Sequence, residues 1–295
     1  MEPSDPTISS QQKGGSVSKE KIIDYYVQCH KDYEDAWRIH VNYSLHYGYH
    51  DENHRDHDSA VINMNRVLAQ RAEISKEDSV LDAGCGIGGS SIWIAKNTGG
   101  HVVGVSLVPM QVELARSLAV KNGVAHLTQF EIGDYTDLHF PSQSFDVVWG
   151  LESICYAEQK NQFLKEAFRL LKPGGRIVVA DGFLAAPVLG EKQKKIVDGF
   201  CEGWALPNLA TREGFLRDLN ETGFRDVMFE DISAHTLPSC KRLMRDFVMF
   251  YPLAKYQQLT GKRSAVQMKN LWTSYYQYRL FTSGIGCYGI FHARK

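Results

Sequence analysis

The segment SVLDAGCGIGGSSIWIAKNTGGHVVGVS (residues 79–106) decides the fold of this 295-residue chain. It predicts a short buried strand (SVLDAG), a glycine-rich turn, a helix (GSSIWIAKNT) and a second strand (HVVGVS), which together form one β-α-β unit. The alternation continues, with helices predicted at 109–123, 160–175 and 211–224, and strands at 127–134, 145–150, 176–183, 225–232 and 284–295. Because such units build a parallel sheet with helices on both faces, we predict an α/β fold with a seven-stranded, mostly parallel sheet.

The segments that flank this alternation differ from it in composition. Residues 1–17 are rich in Ser, Gly, Pro and Gln, which predicts a disordered tail. Residues 18–73 carry apolar residues at helical spacing and an aromatic loop, and we expect them to form an N-terminal helical cover. Residues 236–283 are helical and rich in aromatics, and we expect them to form a lid inserted before the last strand. The core then comprises residues 74–235 and 284–295, with the lid in the same domain.

The overall composition argues against several classes of protein. The formal net charge is −1 and the pI is about 6.8, which disfavours binding to nucleic acid or a membrane surface through overall charge. No uncharged apolar run reaches the length of a membrane span, and the N-terminus lacks an apolar signal region. The six cysteines include no C-x-x-C pair and predict reduced thiols. We therefore expect a cytoplasmic protein with a small-molecule partner, without nucleic acid or stable membrane insertion, for which a homo-oligomer stays open.

The turn within VLDAGCGIGGSS (80–91) carries the strongest chemical signal. Asp82 ends the first strand, and Gly84 and Gly86 permit a tight turn that lets a ligand approach the backbone closely. A loop that binds pyrophosphate uses the amide groups of a helix N-terminus, and a carboxylate there would repel the phosphates. Asp82 therefore favours a ligand with a cationic amino-acid end over a dinucleotide. A plain glycine turn without a ligand is the alternative.

Four ordered segments, of which this loop is the first, resemble the class I S-adenosylmethionine-dependent methyltransferases. The other three are GDYTDLHFPSQSFDVVWG (133–150), LLKPGGRIVVADG (170–182) and ETGFRDV (221–227). The resemblance covers residues 75–232 and the final strand. It implies a Rossmann-like, doubly wound sheet and S-adenosylmethionine as the cofactor.

The resemblance also implies roles for individual residues of these segments. It places Gly84 and Gly86 beneath the methionine part of the cofactor, and it makes Asp82 orient the loop or reach the amino group. Asp134 would accept a hydrogen bond from the adenine amino group, with Tyr135 beside the ring. Because Asp134 follows a glycine, the beginning of a turn is the alternative interpretation.

The end of the second strand lacks the acid that commonly binds the ribose in nucleotide-binding sheets. In GVSLVPMQ (104–111), Ser106 stands at this position. Here the chain resembles a branch of small-molecule and lipid enzymes: the cyclopropane-fatty-acid synthases and the sterol, tocopherol and prenyl-diphosphate C-methyltransferases. This resemblance implies that Ser106 and Gln111 bind the ribose, since an amide offers a diol both a donor and an acceptor. Alternatively, Ser106 only precedes a helix and Gln111 is solvated.

A segment after the fourth strand resembles the same branch and carries two candidates for catalysis. WGLESICYAE (149–158) contains Glu152 and Tyr156, and it lies where an open α/β sheet places its substrate. We expect Glu152 to anchor the substrate or to act as the general base, with Tyr156 as a second candidate. A structural acid is the alternative for Glu152.

A segment before the core is expected to close over the cofactor. SLHYGYHD (44–51) resembles an aromatic segment of the same branch, which acts together with a tyrosine of the preceding helix, here Tyr26 or its neighbour Tyr25. His46 in this segment is a third candidate for the general base. Packing of these aromatics in the core is the alternative.

Two polar clusters have simpler interpretations. HDENHRDHD (50–58) alternates His with carboxylates at no fixed ligand spacing, so a solvated loop is favoured and no metal is predicted. Lys241, Arg242 and Arg245 lie on adjacent turns of the lid. They could bind an anionic head group such as a diphosphate or a carboxylate, and a solvated helix face is the alternative.

These observations predict the transfer of a methyl group from S-adenosylmethionine to a small, hydrophobic metabolite, such as a lipid, a terpenoid or another secondary metabolite. The expected reaction is an in-line displacement in a closed, aromatic-lined site, with carbon, oxygen and nitrogen all open as the accepting atom. A methyltransferase-fold cyclase that uses the same cavity without methyl transfer is the alternative. The near-neutral charge disfavours a nucleic-acid methyltransferase.

Overall fold

Seven strands of the chain form one sheet. In a computed structural model, which describes residues 17–188 and 190–295, they are β1 (Ser79–Ala83), β2 (His101–Ser106), β3 (Thr128–Ile132), β4 (Phe145–Leu151), β5 (Leu171–Leu184), β6 (Arg225–Asp231) and β7 (Gly286–Arg294). Their order across the sheet is β3-β2-β1-β4-β5-β7-β6. Strands β1 to β5 pair in parallel, whereas β7 runs antiparallel to both β5 and β6. The predicted fold, a doubly wound and mostly parallel sheet, is confirmed.

In the described part of the chain, three helices precede β1, and the others lie in the connections between the strands. The helices are α1 (Lys19–Ala36), α2 (Ile39–Asn42), α3 (His57–Arg71), α4 (Gly89–Thr98), α5 (Pro109–Lys121), α6 (Lys160–Leu170), α7 (Glu191–Gly203), α8 (Arg212–Thr222), α9 (Ser233–Leu259) and α10 (Ala265–Thr282). Helix α6 ends before the predicted residue 175, because Leu171 already pairs with Phe145 at the start of β5. Among the described helices, none combines the length and apolarity needed to cross a bilayer. Residues 1–16 of the predicted tail (1–17) lie outside the residues that the structure describes.

Local sequence explains where several helices begin. The Ser18 hydroxyl accepts a hydrogen bond from the Lys21 N–H (3.3 Å) and caps α1. The Thr211 hydroxyl accepts one from the Gly214 N–H (3.0 Å) and caps α8. Pro109 is the first residue of α5, a position where an N–H has no helical partner to lose. These residues fix where α1, α5 and α8 begin.

The strands send alternate side chains into two apolar layers. Val80 and Trp149 belong to the layer that includes side chains of α3, α4 and α5, and Leu81 and Val148 belong to the layer that includes side chains of α6 and α8. All four side chains are at most 1% exposed. Because both faces of the sheet are packed, its strand ends form a rigid frame for the loops that follow them.

The predicted cover and lid contact each other through α1 and α10. Arg263, between α9 and α10, donates two hydrogen bonds to the Asp32 carboxylate of α1 (3.0 and 2.7 Å). Both side chains are largely buried, with exposed fractions of 12% and 20%. Asn270 of α10 donates a further hydrogen bond to the Tyr25 hydroxyl (2.7 Å). A bidentate pair requires fixed geometry, so it holds α1 against the lid.

Replacing Asp32 tests this attachment. Asp32→Asn is expected to lower the free energy of unfolding by about 1–3 kcal/mol, because Arg263 loses its counter-charge in a largely buried position. Urea unfolding followed by circular dichroism measures the change. Asp35→Asn on the same helix is the control, since its ion pair with Lys31 is exposed on both sides and contributes little. Equal losses in the two variants would contradict the assigned role.

Candidate active site

Two cavities adjoin where β1 and β4 end. The glycine-loop cavity is lined by Tyr26, Tyr43, Ser44, Leu45, His46, Asp82, Gly84, Cys85, Gly86, Ile87, Gly89, Ser90, Gln111, Leu151 and Glu152. The aromatic cavity is lined by Tyr26, Tyr33, Leu45, Tyr47, Glu152, Cys155, Tyr156, Asp181, Gly182, Phe200, Trp204, Leu206, Leu209, Phe281 and Tyr288. Since Tyr26, Leu45 and Glu152 line both, the two cavities are adjacent and these three side chains lie at their boundary.

The turn after β1 needs glycine for two different reasons. Gly84 has a φ of +89°, and a Cβ there would lie 2.4 Å from the Cβ of Ser153, so only glycine lets the loop after β4 approach. Gly86 has a φ of +53°, and a Cβ there would meet no described atom within 4 Å. Because Gly86 lines the glycine-loop cavity, its open side faces a possible ligand.

Two titratable side chains in the glycine-loop cavity are buried. Asp82 Oδ2 accepts a hydrogen bond from the Ser91 hydroxyl (2.6 Å), and burial raises the pKa of Asp82 to about 6. His46 Nδ1 lies 3.0 Å from the carbonyl oxygen of Tyr47, which assigns the proton to Nδ1 because a carbonyl only accepts. His46 Nε2 is buried without a partner among the described residues, and burial lowers the pKa of His46 to about 4. Nε2 is therefore an unpaired acceptor.

Gln111 also lines the glycine-loop cavity and is oriented by Ser106. Gln111 is 4% exposed, so the alternative of a solvated side chain is wrong. The Ser106 hydroxyl donates to Gln111 Oε1 (2.8 Å) and accepts from the Val108 N–H (3.2 Å). Ser106 itself is not among the described residues that line either cavity. The amide NH₂ of Gln111 is thus the group available to a ligand.

Glu152 lies where the two cavities adjoin and has a strained backbone. Its φ is +49°, a left-handed conformation that costs a non-glycine residue on the order of 1–3 kcal/mol. Its Oε1 accepts hydrogen bonds from the Tyr47 N–H (2.6 Å) and the Tyr288 hydroxyl (2.7 Å), whereas Oε2 makes none with the described residues. Burial raises the pKa of Glu152 to about 8. One carboxyl oxygen is thus fixed, and the other is left for a ligand.

Tyr26 and Tyr156 are joined across the aromatic cavity. The Tyr26 hydroxyl donates to the Tyr156 hydroxyl (3.0 Å), which donates to the carbonyl oxygen of Trp204 (3.0 Å). Tyr25, the other tyrosine considered for the cover, is buried and accepts a hydrogen bond from Asn270. Of the two neighbours, Tyr26 is the one that lines both cavities.

The sequence analysis missed two polar residues of the aromatic cavity. The buried Asp181 carboxylate accepts hydrogen bonds from the N–H groups of Cys155 (2.9 Å) and Gly182 (2.8 Å), and burial raises the pKa of Asp181 to about 6. A signal is present, because Asp181 follows a buried apolar run as the acid of VLDAG does. Tyr288 gives no local signal, since its place in the site depends on β7 lying beside β5.

Two residues predicted to bind adenine lie outside the lining of both cavities. Asp134 forms an ion pair with Lys19 (2.6 Å) and accepts a hydrogen bond from the Thr136 N–H (2.8 Å). Tyr135 is 7% exposed and packs in the core, where its hydroxyl donates to the carbonyl oxygen of Ser153 (2.7 Å). Their roles toward adenine stay predictions.

The two remaining polar clusters differ in what they contact. Within residues 17–188 and 190–295, no group of three or more His, Cys, Asp or Glu side chains is arranged to hold a metal ion. Arg242 is largely buried, donates to the carbonyl oxygen of Ala36 (2.7 Å) and pairs with Asp246 (3.2 Å), so the solvated alternative is wrong for this residue. Lys241 and Arg245 are exposed. Arg242 thus holds the lid to the cover.

Known proteins resemble the chain along most of its length. Residues 81–179 match a family model described as a methyltransferase domain. Over 209 residues the chain is 32% identical to the 27-O-demethylrifamycin SV methyltransferase of Amycolatopsis mediterranei (strain S699), an alignment that covers 69% of this chain and 75% of that protein. The chain belongs to the class I S-adenosylmethionine-dependent methyltransferases.

Two further comparisons place this methyltransferase among small-molecule enzymes. It is 28% identical over 241 residues to the chloroplastic tocopherol O-methyltransferase of Arabidopsis thaliana, which covers 76% of this chain and 68% of the relative. The solved structure of the cyclase SpnF superposes on the chain with a TM-score of 0.78 at 21% sequence identity. The superposition covers 95% of this chain and 97% of SpnF, and it confirms the fold. The protein is therefore a small-molecule methyltransferase, and its accepting atom is left open.

The glycine-loop cavity fits the family's cofactor, S-adenosylmethionine. This ligand joins an amino acid to a nucleoside and carries a methyl group on a sulfonium. The cavity is lined by His46, whose buried Nε2 is an unpaired acceptor, by Gln111 with its free NH₂ group, and by Gly86 with open space beside it. An ammonium group needs acceptors and a ribose diol needs both donors and acceptors, so these groups are complementary to the ligand.

Filling the open space at Gly86 tests this fit. Gly86→Ala is expected to weaken S-adenosylmethionine binding by about tenfold or more, because the new Cβ enters the cavity. Gly123→Ala is the matched control, since Gly123 also has a positive φ (+74°) and no described atom within 4 Å of a Cβ, but lies at the end of α5. Both variants should lose about 1–2 kcal/mol of stability. Titration calorimetry measures the affinity, and an unchanged affinity in Gly86→Ala would refute the site.

Proposed function

We propose that this methyltransferase transfers the methyl group of S-adenosylmethionine to a small, hydrophobic metabolite, such as a lipid, a terpenoid or another secondary metabolite, by in-line displacement. The observation that carries the proposal is that the glycine-loop cavity and the aromatic cavity share Tyr26, Leu45 and Glu152. A donor held in the first cavity would then lie next to an acceptor held in the second, with these three side chains at the boundary. Holding two reactants in line supplies a large part of the rate enhancement of such transfers.

The walls of the aromatic cavity support a hydrophobic acceptor. Eight of its fifteen lining residues are aromatic, and α1, α7 and α10 contribute side chains to it. Rings exclude water from the reacting atoms and contact an apolar skeleton over a large area. In this proposal, the cover (18–73) and the lid (236–283) close the core (74–235 and 284–295) around the acceptor.

The cofactor is proposed to lie along the turn after β1. Gly84 and Gly86 would contact its methionine part, with Asp82 holding the turn through Ser91. Gln111, oriented by Ser106, would bind the ribose through its free NH₂ group.

The residues proposed to bind the adenine end of the cofactor, Asp134 and Tyr135, lie outside the lining of both cavities. Asp134 is proposed to accept a hydrogen bond from the adenine amino group. Its carboxylate would then bind adenine and Lys19 at the same time. Tyr135, which is buried in the core, would lie beside the adenine ring. Tyr26 of α1 would cover the cofactor.

Glu152 is the proposed general base among the three candidates. Its Oε2 has no hydrogen bond to the described residues, and Glu152 lines both cavities. His46 is a weak base, because burial lowers its pKa to about 4. Tyr156 already forms hydrogen bonds to Tyr26 and Trp204, and burial raises its pKa well above the ordinary value. Glu152 alone combines position with a pKa suited to proton transfer near neutrality.

Labelled methyl transfer tests the reaction class. The enzyme is incubated with methyl-labelled S-adenosylmethionine and a tocopherol, a sterol, a terpenoid alcohol, a macrolide or an alkaloid amine, and label is counted in the purified acceptor. We expect label in at least one acceptor, with an equal amount of S-adenosylhomocysteine released. Cofactor binding without label transfer to any acceptor, together with rearrangement of one of them, would favour the cyclase alternative.

Glu152→Gln tests the proposed base. Gln retains the oxygen that accepts from Tyr47 and Tyr288, so S-adenosylmethionine affinity should stay within about twofold, whereas kcat/KM should fall by about 100-fold or more. Because the carboxylate must be ionised, wild-type kcat/KM should rise with pH through about 8, and this limb should be absent from the variant. Glu213→Gln, an exposed acid on α8, is the control. Wild-type turnover in Glu152→Gln would remove Glu152 from the mechanism.

A further inference from the structure

The aromatic cavity offers ring faces and carboxyl oxygens but no basic side chain. Its described lining residues include no Lys, Arg or His, and they include the two acids Glu152 and Asp181. Neither acid forms an ion pair with a described residue. The charge of Lys160 offsets part of the charge of Asp181. The Lys160 ammonium group donates its hydrogen bonds to the carbonyl oxygens of Cys155, Ala157 and Asn208, and not to Asp181.

The tyrosine hydroxyl groups of this cavity are already used within the protein. All five of its tyrosine hydroxyls have internal partners: Tyr26 with Tyr156, Tyr33 with Tyr25, Tyr47 with Gln277, Tyr156 with Trp204 and Tyr288 with Glu152. Burial and the neighbouring Asp181 carboxyl group raise the pKa of the Cys155 thiol well above its ordinary value. The tyrosines therefore present their rings to a ligand, while their hydroxyl groups stay bound to the protein.

This combination selects a ligand by its charge. Aromatic faces attract cations through the negative potential of the ring, and buried carboxylates without counter-ions favour a ligand that brings positive charge. A phenolate, a carboxylate or a diphosphate would meet two acidic groups, and it would find no cationic side chain and no free tyrosine hydroxyl among the described lining residues. Those groups are thus excluded from the place where the methyl group is accepted.

We propose that the methyl acceptor is a hydrophobic secondary amine, which binds in the aromatic cavity as its ammonium ion between the tyrosine rings and the carboxyl groups of Glu152 and Asp181. This inference rests on the proposed function and names its substrate class.

The transfer step balances with these groups. The ammonium gives one proton to the Glu152 carboxylate, which leaves a neutral amine. The nitrogen lone pair forms the new N–C bond as the S–C bond to the methyl group breaks, and the electron pair of the broken bond stays on sulfur. The products are a methylated ammonium ion and a neutral thioether. The nitrogen is therefore positive before deprotonation and after transfer, in both cases beside Glu152 and Asp181.

Binding of a fixed cation tests the charge preference. The probes are N,N-dimethyl-1,2,3,4-tetrahydroisoquinolinium and the neutral alcohol 2-tetralol, titrated into the enzyme with S-adenosylhomocysteine at pH 8.5, above the Glu152 pKa of about 8. We expect the cation to bind at least about tenfold more tightly than the alcohol. Glu152→Gln should remove most of this preference without weakening 2-tetralol binding, and the control Glu213→Gln should retain it. Equal affinity for both probes, or no binding of the cation, would overturn the proposal.

Turnover separates failure of this inference from failure of the proposed function. The enzyme is offered 1,2,3,4-tetrahydroisoquinoline, 5,6,7,8-tetrahydro-2-naphthol and 1,2-dihydronaphthalene, which share one skeleton and differ in the accepting group. We expect label only in the amine. Label in the naphthol or the alkene but not in the amine would overturn the amine assignment and leave methyl transfer intact. Failure to bind S-adenosylmethionine at all would instead refute the proposed function.

Discussion

The hydrogen bonds of the Glu152 carboxyl group connect the three parts of the chain that form the active site. Glu152 follows β4, its Oε1 accepts from the Tyr47 N–H of the cover, and it also accepts from the Tyr288 hydroxyl of β7. Its left-handed backbone is fixed by a hydrogen bond from its N–H to the carbonyl oxygen of Ala180 in β5 (2.8 Å). If the cover or β7 moved away, a buried carboxyl group would lose a partner, so the geometry of both cavities depends on these contacts.

The parts of this structure that the sequence predicts are those set by neighbouring residues. The strand, turn and helix from Ser79 to Thr98 follow from a short apolar run, from glycines at fixed offsets and from apolar residues at helical spacing. Each of these patterns depends only on residues that are close in sequence. The site candidates Asp82, Gly86 and Glu152 stand at strand ends, where the α/β architecture brings ligand groups together.

The parts that the sequence does not predict depend on distant segments. Tyr288 and Glu152 are 136 residues apart, and they meet only because β7 inserts antiparallel between β5 and β6. Ser106 and Gln111 are close in sequence, but the sequence pattern does not indicate how they divide their roles. Ser106 orients the Gln111 amide, and of the two only Gln111 lines the glycine-loop cavity. Tyr135 shows the same limit, because its ring packs into the core rather than into a cavity.

The acceptor is set by the walls of the aromatic cavity, since this fold carries different chemistries. A cyclase superposes on the chain with a TM-score of 0.78, so the architecture by itself does not select methyl transfer. In the proposed function, methyl transfer depends on the shared boundary of the two cavities and on the chemistry of the groups that line it. The acids without counter-ions and the occupied tyrosine hydroxyls are the observations that support the proposed cationic acceptor.

The most direct measurement of the central claim is a crystal structure of the enzyme with S-adenosylhomocysteine. We predict that the ligand occupies the glycine-loop cavity, with its amino-acid end against Gly84 and Gly86 and its sulfur directed toward Glu152 at the boundary with the aromatic cavity. A ligand bound elsewhere, or one whose sulfur points away from the aromatic cavity, would contradict the account.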